Sequence, residues 1–216
     1  MLCNKNMYTS AVALAFLLAS ASIDRIDAAP DGAPIAACET MTPGHGVDPL
    51  LVTSSPFQTE IPSGEYAIMD SALHLELRSK NDVTTYKGFL VMAFDKTDAT
   101  KPIGTFRLPS DGKLIDCYGT VGSAATHKLD NEKKLTTVQW VPPQGFMGTA
   151  IFRTTYVHNV TTFWVKTESI AVTYVMELPT SSTQAPPVAT TPSSASQTGK
   201  TWISLITFSL MAFLMR

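Results

Sequence analysis

From Glu65 onward, apolar and polar residues alternate with a period of two, the spacing of a strand with one face in a core and the other in water. Leu73, Leu75 and Leu77 interleave with His74, Glu76 and Arg78. Tyr86–Phe94 (YKGFLVMAF) is almost continuously apolar, which suits a central strand. Gly104–Leu108 and Leu114–Tyr118 continue the series, and Ala125-Thr126-His127 marks a further strand end. Leu135–Val141 (LTTVQWV) predicts a strand that stops at Pro142-Pro143, because proline cannot donate to a ladder. Gly148–Val157 and Thr161–Thr167 flank His158-Asn159-Val160 and predict a hairpin, and Ile170–Met176 predicts the last strand. Turn signals recur roughly every ten residues (Ser110-Asp111-Gly112, Asp130-Asn131, Pro142 to Gly145), and no useful run of helical period interrupts them. The expected fold is all-β, an antiparallel β-sandwich of about seven to nine strands.

The flanks read differently. Ala11–Ala21 (AVALAFLLASA) has the length of a signal-peptide apolar region, with Ala19-Ser20-Ala21 as a cleavage site and a later cut near Ala28 as an alternative. The expected organisation is a signal peptide over residues 1–21, a β-sandwich domain over 30–178, a stalk over 179–201 and an apolar tail over 202–216. Residues 30–64 are rich in Pro, Gly, Ser and Thr, which excludes a long helix and predicts an irregular lead-in pinned at Cys38. Thr180–Thr198 carries no charge and little that could form a core, the composition of a disordered, O-glycan-bearing stalk. Trp202–Met215 is an apolar run of 14 residues. As a helix it would reach about 21 Å, short of the roughly 30 Å hydrocarbon layer. Small residues precede a short polar spacer there, so a GPI-attachment signal is the leading expectation, with Ser194 or Ser193 as the attachment residue. A short membrane helix and a secreted protein with an adventitious tail are the other two readings.

Charge and cysteine usage narrow the function classes. Residues 30–179 hold 12 Lys+Arg against 16 Asp+Glu, a net of −4 with no basic patch. That argues against nucleic acid as a partner and against a cationic membrane-lytic mechanism. Cys3 leaves with the signal, so Cys38 and Cys117 remain as an even pair in an oxidising compartment, where a disulfide is the default. Closing a loop of about 80 residues contributes about 4.5 kcal/mol in the chain-entropy model. Asn159-Val160-Thr161 is an N-glycosylation sequon. His45, His74, His127 and His158 show no metal-ligand spacing, and His127 reads as a hydrogen-bonded structural histidine. Asp95, Asp98, Asp111 and Asp116 are spaced like solvated loop acids. No Gly-x-Ser-x-Gly, Cys–His pair or phosphate loop is present, so no catalytic residue, cofactor or metal is expected. Trp140 and Trp164 fall in apolar strand patterns and read as core, whereas Phe57, Tyr118 and Phe146 lie near loops and are candidate contacts for a ligand.

An ordered series of short motifs carries a resemblance. It runs from Gly32-Ala33-Pro34 before Cys38 through Met41-Thr42-Pro43-Gly44-His45, Tyr86-Lys87-Gly88-Phe89-Leu90 and Pro102-Ile103-Gly104-Thr105-Phe106 to Leu114 with Cys117. It continues with Ala125-Thr126-His127, Trp140 before Pro142, Gly148 before Phe152, and Phe163-Trp164-Val165. In order and spacing the chain resembles the reeler (reelin N-terminal) domain family, and especially its short insect haemolymph defence proteins. The resemblance implies an immunoglobulin-like β-sandwich with Cys38 paired to Cys117. It also implies a role in innate immunity: binding glycans or lipids of microbial surfaces, or promoting haemocyte aggregation. Larger relatives are ferric-chelate reductases with added haem-binding domains, for which this chain has no room, so reductase activity does not carry over. The stalk and tail depart from the soluble defence proteins and favour a surface-tethered form, with the membrane as a partner through the tail. A cell-surface adhesion or matrix module that binds another protein is the alternative function.

Overall fold

The computed structural model describes residues 30–179, so the expected signal peptide, nearly all of the stalk, the tail, and Ser193 and Ser194 lie outside the described residues. Eleven strands follow one another in the described chain: β1 Phe57–Glu60, β2 Tyr66–Ile68, β3 Leu73–Ser79, β4 Gly88–Asp95, β5 Thr105–Arg107, β6 Gly112–Ile115, β7 Ala124–His127, β8 Leu135–Val141, β9 Thr149–Asn159, β10 Thr162–Glu168 and β11 Val172–Val175. The only helical segments among them are short 3-10 turns at Ile35–Cys38, Val52–Ser54 and Cys117–Gly119. One sheet has the order β1-β3-β8-β5, and the other runs β2-β11-β9-β4-β7-β6 with β10 also on β9. The pairings are antiparallel except that of β2 with β11, which is parallel. The fold is the expected all-β sandwich. The strand total exceeds seven to nine because two further short strands form: β1 in the stretch that reads as lead-in, and β2 in the alternating region after Glu65, too short to stand out as a strand of its own.

The alternation at Leu73–Arg78 becomes β3, with Leu73, Leu75 and Leu77 buried against the second sheet. The continuous apolar run becomes β4, buried on both faces. Phe89, Val91 and Ala93 enter the core between the sheets, while Leu90, Met92 and Phe94 face a second cluster on the outer side. A strand covered on both sides has no polar positions to alternate with, which is why its sequence reads as a block.

Aromatic rings fill the space between the sheets. Trp140 is fully buried (0% exposed), with its ring edge-on to Phe152 at 5.2 Å and to Tyr174 at 6.0 Å. Its indole N–H donates to the Ile103 carbonyl at 3.1 Å, so this large side chain leaves no unpaired polar group. Phe57, Tyr86, Tyr156 and Trp164 form a second stack, with Phe57 5.2 Å from Tyr156 and 5.4 Å from Tyr86. The Tyr86 hydroxyl donates to the Leu77 carbonyl at 2.8 Å, and the Tyr156 hydroxyl pairs with Thr59 Oγ1 at 2.9 Å. Burial raises the pKa of both phenols far above the usual range, so they stay neutral. Gly104 closes the Trp140 pocket: it takes φ +64°, and a Cβ there would stand 2.5 Å from the Val141 carbonyl and 2.7 Å from the indole.

Three expectations shift. Phe57 is wholly buried at the start of β1 rather than near a ligand-facing loop. The strand expected over Leu114–Tyr118 ends at Ile115, and the chain turns through Cys117–Gly119 with Tyr118 in the left-handed region at φ 55°. Asp116 Oδ1 stabilises that turn by accepting from the Gly122 N–H at 2.8 Å. The hairpin turn narrows from His158-Asn159-Val160 to Val160-Thr161, because β9 continues two residues past Val157 to Asn159 and β10 starts at Thr162.

Two outcomes follow. Trp140→Ala should lower unfolding free energy by about 3–5 kcal/mol in urea denaturation, through lost burial and the void left among Phe152, Tyr174 and Phe146. Cys38→Ser should cost about 2–5 kcal/mol and reduce the yield of secreted protein, measured by denaturation and by immunoblot of the medium.

Candidate functional site

The outer face of the β2-β11-β9-β4-β7-β6 sheet needs a cover, and the lead-in supplies it. Cys38 bonds to Cys117 with Cα atoms 5.5 Å apart and a sequence separation of 79, which ties the Ile35–Cys38 turn to the loop after β6. Ala37, Cys38 and Met41 then pack on Leu90, Met92, Phe94 and Ile151. Three hydrogen bonds seat the segment. The Ala33 N–H donates to Thr126 Oγ1 at 2.9 Å, the Met41 N–H to the Ala37 carbonyl at 2.8 Å, and the Thr155 hydroxyl to the Met41 carbonyl at 2.7 Å. Gly32 takes φ +112°, and a Cβ there would run into the His127 carbonyl and the Lys113 side chain, so the position requires glycine.

The cover is incomplete. Between the lead-in and the ends of β4, β7 and β9 lies a cavity of about 280 Å³. Met41, Ala37, Phe89 and Leu90 are its buried lining, and Val157 is a half-buried wall. Of the polar lining residues, Lys87, Asp130 and Asn159 are exposed and form its mouth, His45 is half-buried, and Thr155 and His127 are buried.

Two of the four histidines meet here. His127, at the end of β7, is buried, and its Nδ1 lies 3.2 Å from the Phe89 N–H nitrogen, the Phe89 carbonyl and Thr126 Oγ1 alike. It is the structural histidine expected from its strand-end position. His45 stands edge-on to Phe163 at 5.3 Å. Desolvation lowers its pKa, opposed by a backbone hydrogen bond to Val160, and its Nδ1 is buried without a hydrogen-bond partner. His74 and His158 lie elsewhere, paired with Gln139 and with the Thr85 carbonyl. Among the described residues no group of three or more His, Cys, Asp or Glu is placed to hold a metal ion.

Lys133 organises the loop beside the mouth. Its ammonium is buried and donates to the carbonyls of Leu129 and Asn131, each at 2.8 Å, and to Asn131 Oδ1 at 2.7 Å, with Asp111 at 3.8 Å. Desolvation lowers its pKa, and the carboxylates of Asp111 and Asp130 oppose that shift. Asp95 and Asp98 instead cap their own turns, accepting from Thr97 and Thr100, as solvated loop acids do.

Asn159 is exposed, and its Oδ1 accepts from both the N–H and the hydroxyl of Thr161 at 3.0 Å, closing an Asx turn around the sequon. Of the three aromatic contact candidates, Phe57 is core and Phe146 packs on Trp140 and Tyr174, so Tyr118, 45% exposed beside the disulfide, is the one left at the surface. Sequence reasoning missed the cavity. Met41, Pro43, Gly44 and His45 belong to the motif series, but nothing in their order shows that they fold over β4.

Comparison with known proteins identifies the family. The Reeler domain model matches residues 36–180. A Bombyx mori protein named as a candidate defense protein is 34% identical over 67% of this chain and 84% of its own length. A Drosophila melanogaster protein named as a defense protein is 31% identical over 69% of this chain and 91% of its own. A second Drosophila melanogaster relative, named as a candidate homolog of ferric-chelate reductase 1, is 30% identical over 73% of this chain, which spans 26% of that protein. The human F-spondin reeler domain superposes with a TM-score of 0.49 at 11% identity, covering 60% of this chain and 94% of that one. With its family model matched across almost all of the described sandwich, the chain belongs to the Reeler domain family.

Proposed function

We propose that this protein is a non-enzymatic extracellular recognition module of innate immune defence, which binds the surfaces of bacteria and fungi or promotes haemocyte aggregation. The observation that carries this reading is the likeness, over most of their length, to insect relatives named for defense. Reductase chemistry has less support, because the reductase-named relative shares about a quarter of its length with this chain. The disulfide across the lead-in fits an oxidising compartment outside the cytosol. The contact surface on this reading is the end of the sandwich where the lead-in meets β4, β7 and β9, since cavity, exposed rim and sequon converge there. Exposure of Asn159 suits a glycan that hangs over the mouth without disturbing the core.

The secreted protein should sediment with bacteria or fungal cells, and soluble lipopolysaccharide, lipoteichoic acid or β-glucan should compete. Absence of binding to all of these and to whole cells would refute the reading. Constitutive expression at tissue contacts, unchanged after bacterial challenge, would point instead to adhesion to another protein.

The tail pattern adds a tether through Ser194 or Ser193, at the outer face of the plasma membrane. Phospholipase C treatment of expressing cells should release the protein, and N-glycosidase should then increase its gel mobility. Retention on the cells after the lipase would favour a membrane helix.

A further inference from the structure

We propose that the cavity under the lead-in is a binding site for the hydrocarbon chain of an amphiphile whose polar head remains at the mouth. The inference rests on the recognition reading and names the ligand chemistry of its site.

Apart from His45 Nδ1, the polar atoms around the buried lining are already used. The Met41 carbonyl accepts from Thr155, the Phe89 carbonyl accepts from Thr126 Oγ1 at 2.6 Å, and the Phe89 N–H faces His127 Nδ1 at 3.2 Å. The Val157 carbonyl accepts from the Lys87 N–H at 2.8 Å. What remains there is a packed apolar floor of Ala37, Met41 and Leu90, the half-buried wall of Val157, and the one unpartnered nitrogen, His45 Nδ1. A sugar ring pushed into it would find one nitrogen, His45 Nδ1, for its several hydroxyls and bury the rest without partners, whereas a hydrocarbon chain gives up no hydrogen bond and leaves water itself. The volume, about 280 Å³, lies just below the range of drug-sized pockets, roughly 300–1,000 Å³. It suits a single chain and excludes a docked helix, which with side chains is about 10 Å across. Met41, 1% exposed, gives the lining a flexible thioether that can adjust to a chain's bends.

The mouth has the opposite character. Lys87 is exposed and makes no ion pair among the described residues, so a carboxylate or phosphate head finds a cation there. Asp130, on the same rim, is engaged electrostatically by the buried Lys133 ammonium, which reduces its repulsion of such a head.

The test uses the processed, secreted protein and decanoic acid below its micellar concentration at neutral pH. Isothermal titration should give saturable one-to-one binding. Val157→Trp, which fills the cavity from its half-buried wall, should weaken binding at least tenfold. Val83→Ser, at a site 76% exposed and not part of the lining, should leave it unchanged. On the unsubstituted protein, decanoate should shift the methyl resonances of Met41, Leu90 and Val157, and this mapping decides the matter alone if Val157→Trp fails to fold. Displacement of decanoate by lipopolysaccharide would identify the source as a microbial membrane lipid, and its failure to displace would identify a free fatty acid. The proposal is overturned by absence of saturable binding, by binding indifferent to Val157→Trp, or by methyl shifts elsewhere. Intramolecular contacts from segment 202–216 to Leu90 and Val157 would also overturn it, by making the cavity a seat for the chain's own tail. Bacterial binding that persists without decanoate binding would sink this proposal and leave the recognition reading standing.

Discussion

Burying both faces of β4 is the constraint on which the rest of the molecule depends. A β-sandwich needs only its inner faces covered, yet Leu90, Met92 and Phe94 give β4 an apolar outer face as well. Left in water, that row would be a continuous apolar stripe at the centre of the larger sheet. The chain has no helix to lay over it among the described residues, so an irregular segment rich in Pro and Gly does the work. Such a segment cannot satisfy its own backbone groups as a helix would. It borrows partners from the sheet instead: Thr126 Oγ1 for the Ala33 N–H, and the Thr155 hydroxyl for the Met41 carbonyl. Thr126 of β7 and Thr155 of β9, both buried, are thus explained as polar anchors for a cover of irregular backbone.

The disulfide makes sense in the same terms. The lead-in's contact with the sheet is small, and ordering irregular backbone costs about 1–2 kcal/mol per residue in conformational entropy. A covalent link at Cys38–Cys117 reduces the freedom of the unfolded chain and fixes the segment's position along the sheet. It joins the lead-in to the turn after β6, which explains why the expected strand stops at Ile115: Cys117 has to leave the ladder to reach its partner.

Most of the fold was legible in the sequence because burial writes itself into period. The alternation at Leu73–Arg78, the block at Tyr86–Phe94 and the proline stop after Val141 all became strands near their expected limits. Trp140 and Trp164 were legible as core for the same reason. The short strands β1 and β2 were not, since three or four residues give too few alternations to distinguish a strand from a turn. Phe57 was misplaced on that account: one buried aromatic at the start of a four-residue strand looks like an aromatic near a loop. The cavity was illegible for a different reason. Met41 and Val157 are 116 positions apart, and neither carries a local signal of what it faces; only the path of the lead-in across β4 and β9 brings them together.

The cavity and the cover are one feature seen from two sides. Regular structure packs by repeating, so neighbouring side chains fill space evenly, whereas an irregular segment held at a few points fills it unevenly. The holding points are Gly32–Ala33 on β7, Met41 on β9, and Cys38 on the turn after β6. Several of the residues between and beside them are small: Ala33, Ala37 and Gly44 all line the void. Longer side chains there would close it and make the lead-in a complete lid, with more apolar surface buried. The chain instead keeps an apolar hollow of about 280 Å³ open to solvent, next to its sequon and beside Lys87, which makes no ion pair among the described residues. Unfilled apolar space forgoes dispersion contacts and so costs stability. The position of that cost, at an exposed end with a polar rim rather than deep between the sheets, is the physical ground for reading the hollow as a site instead of a packing flaw.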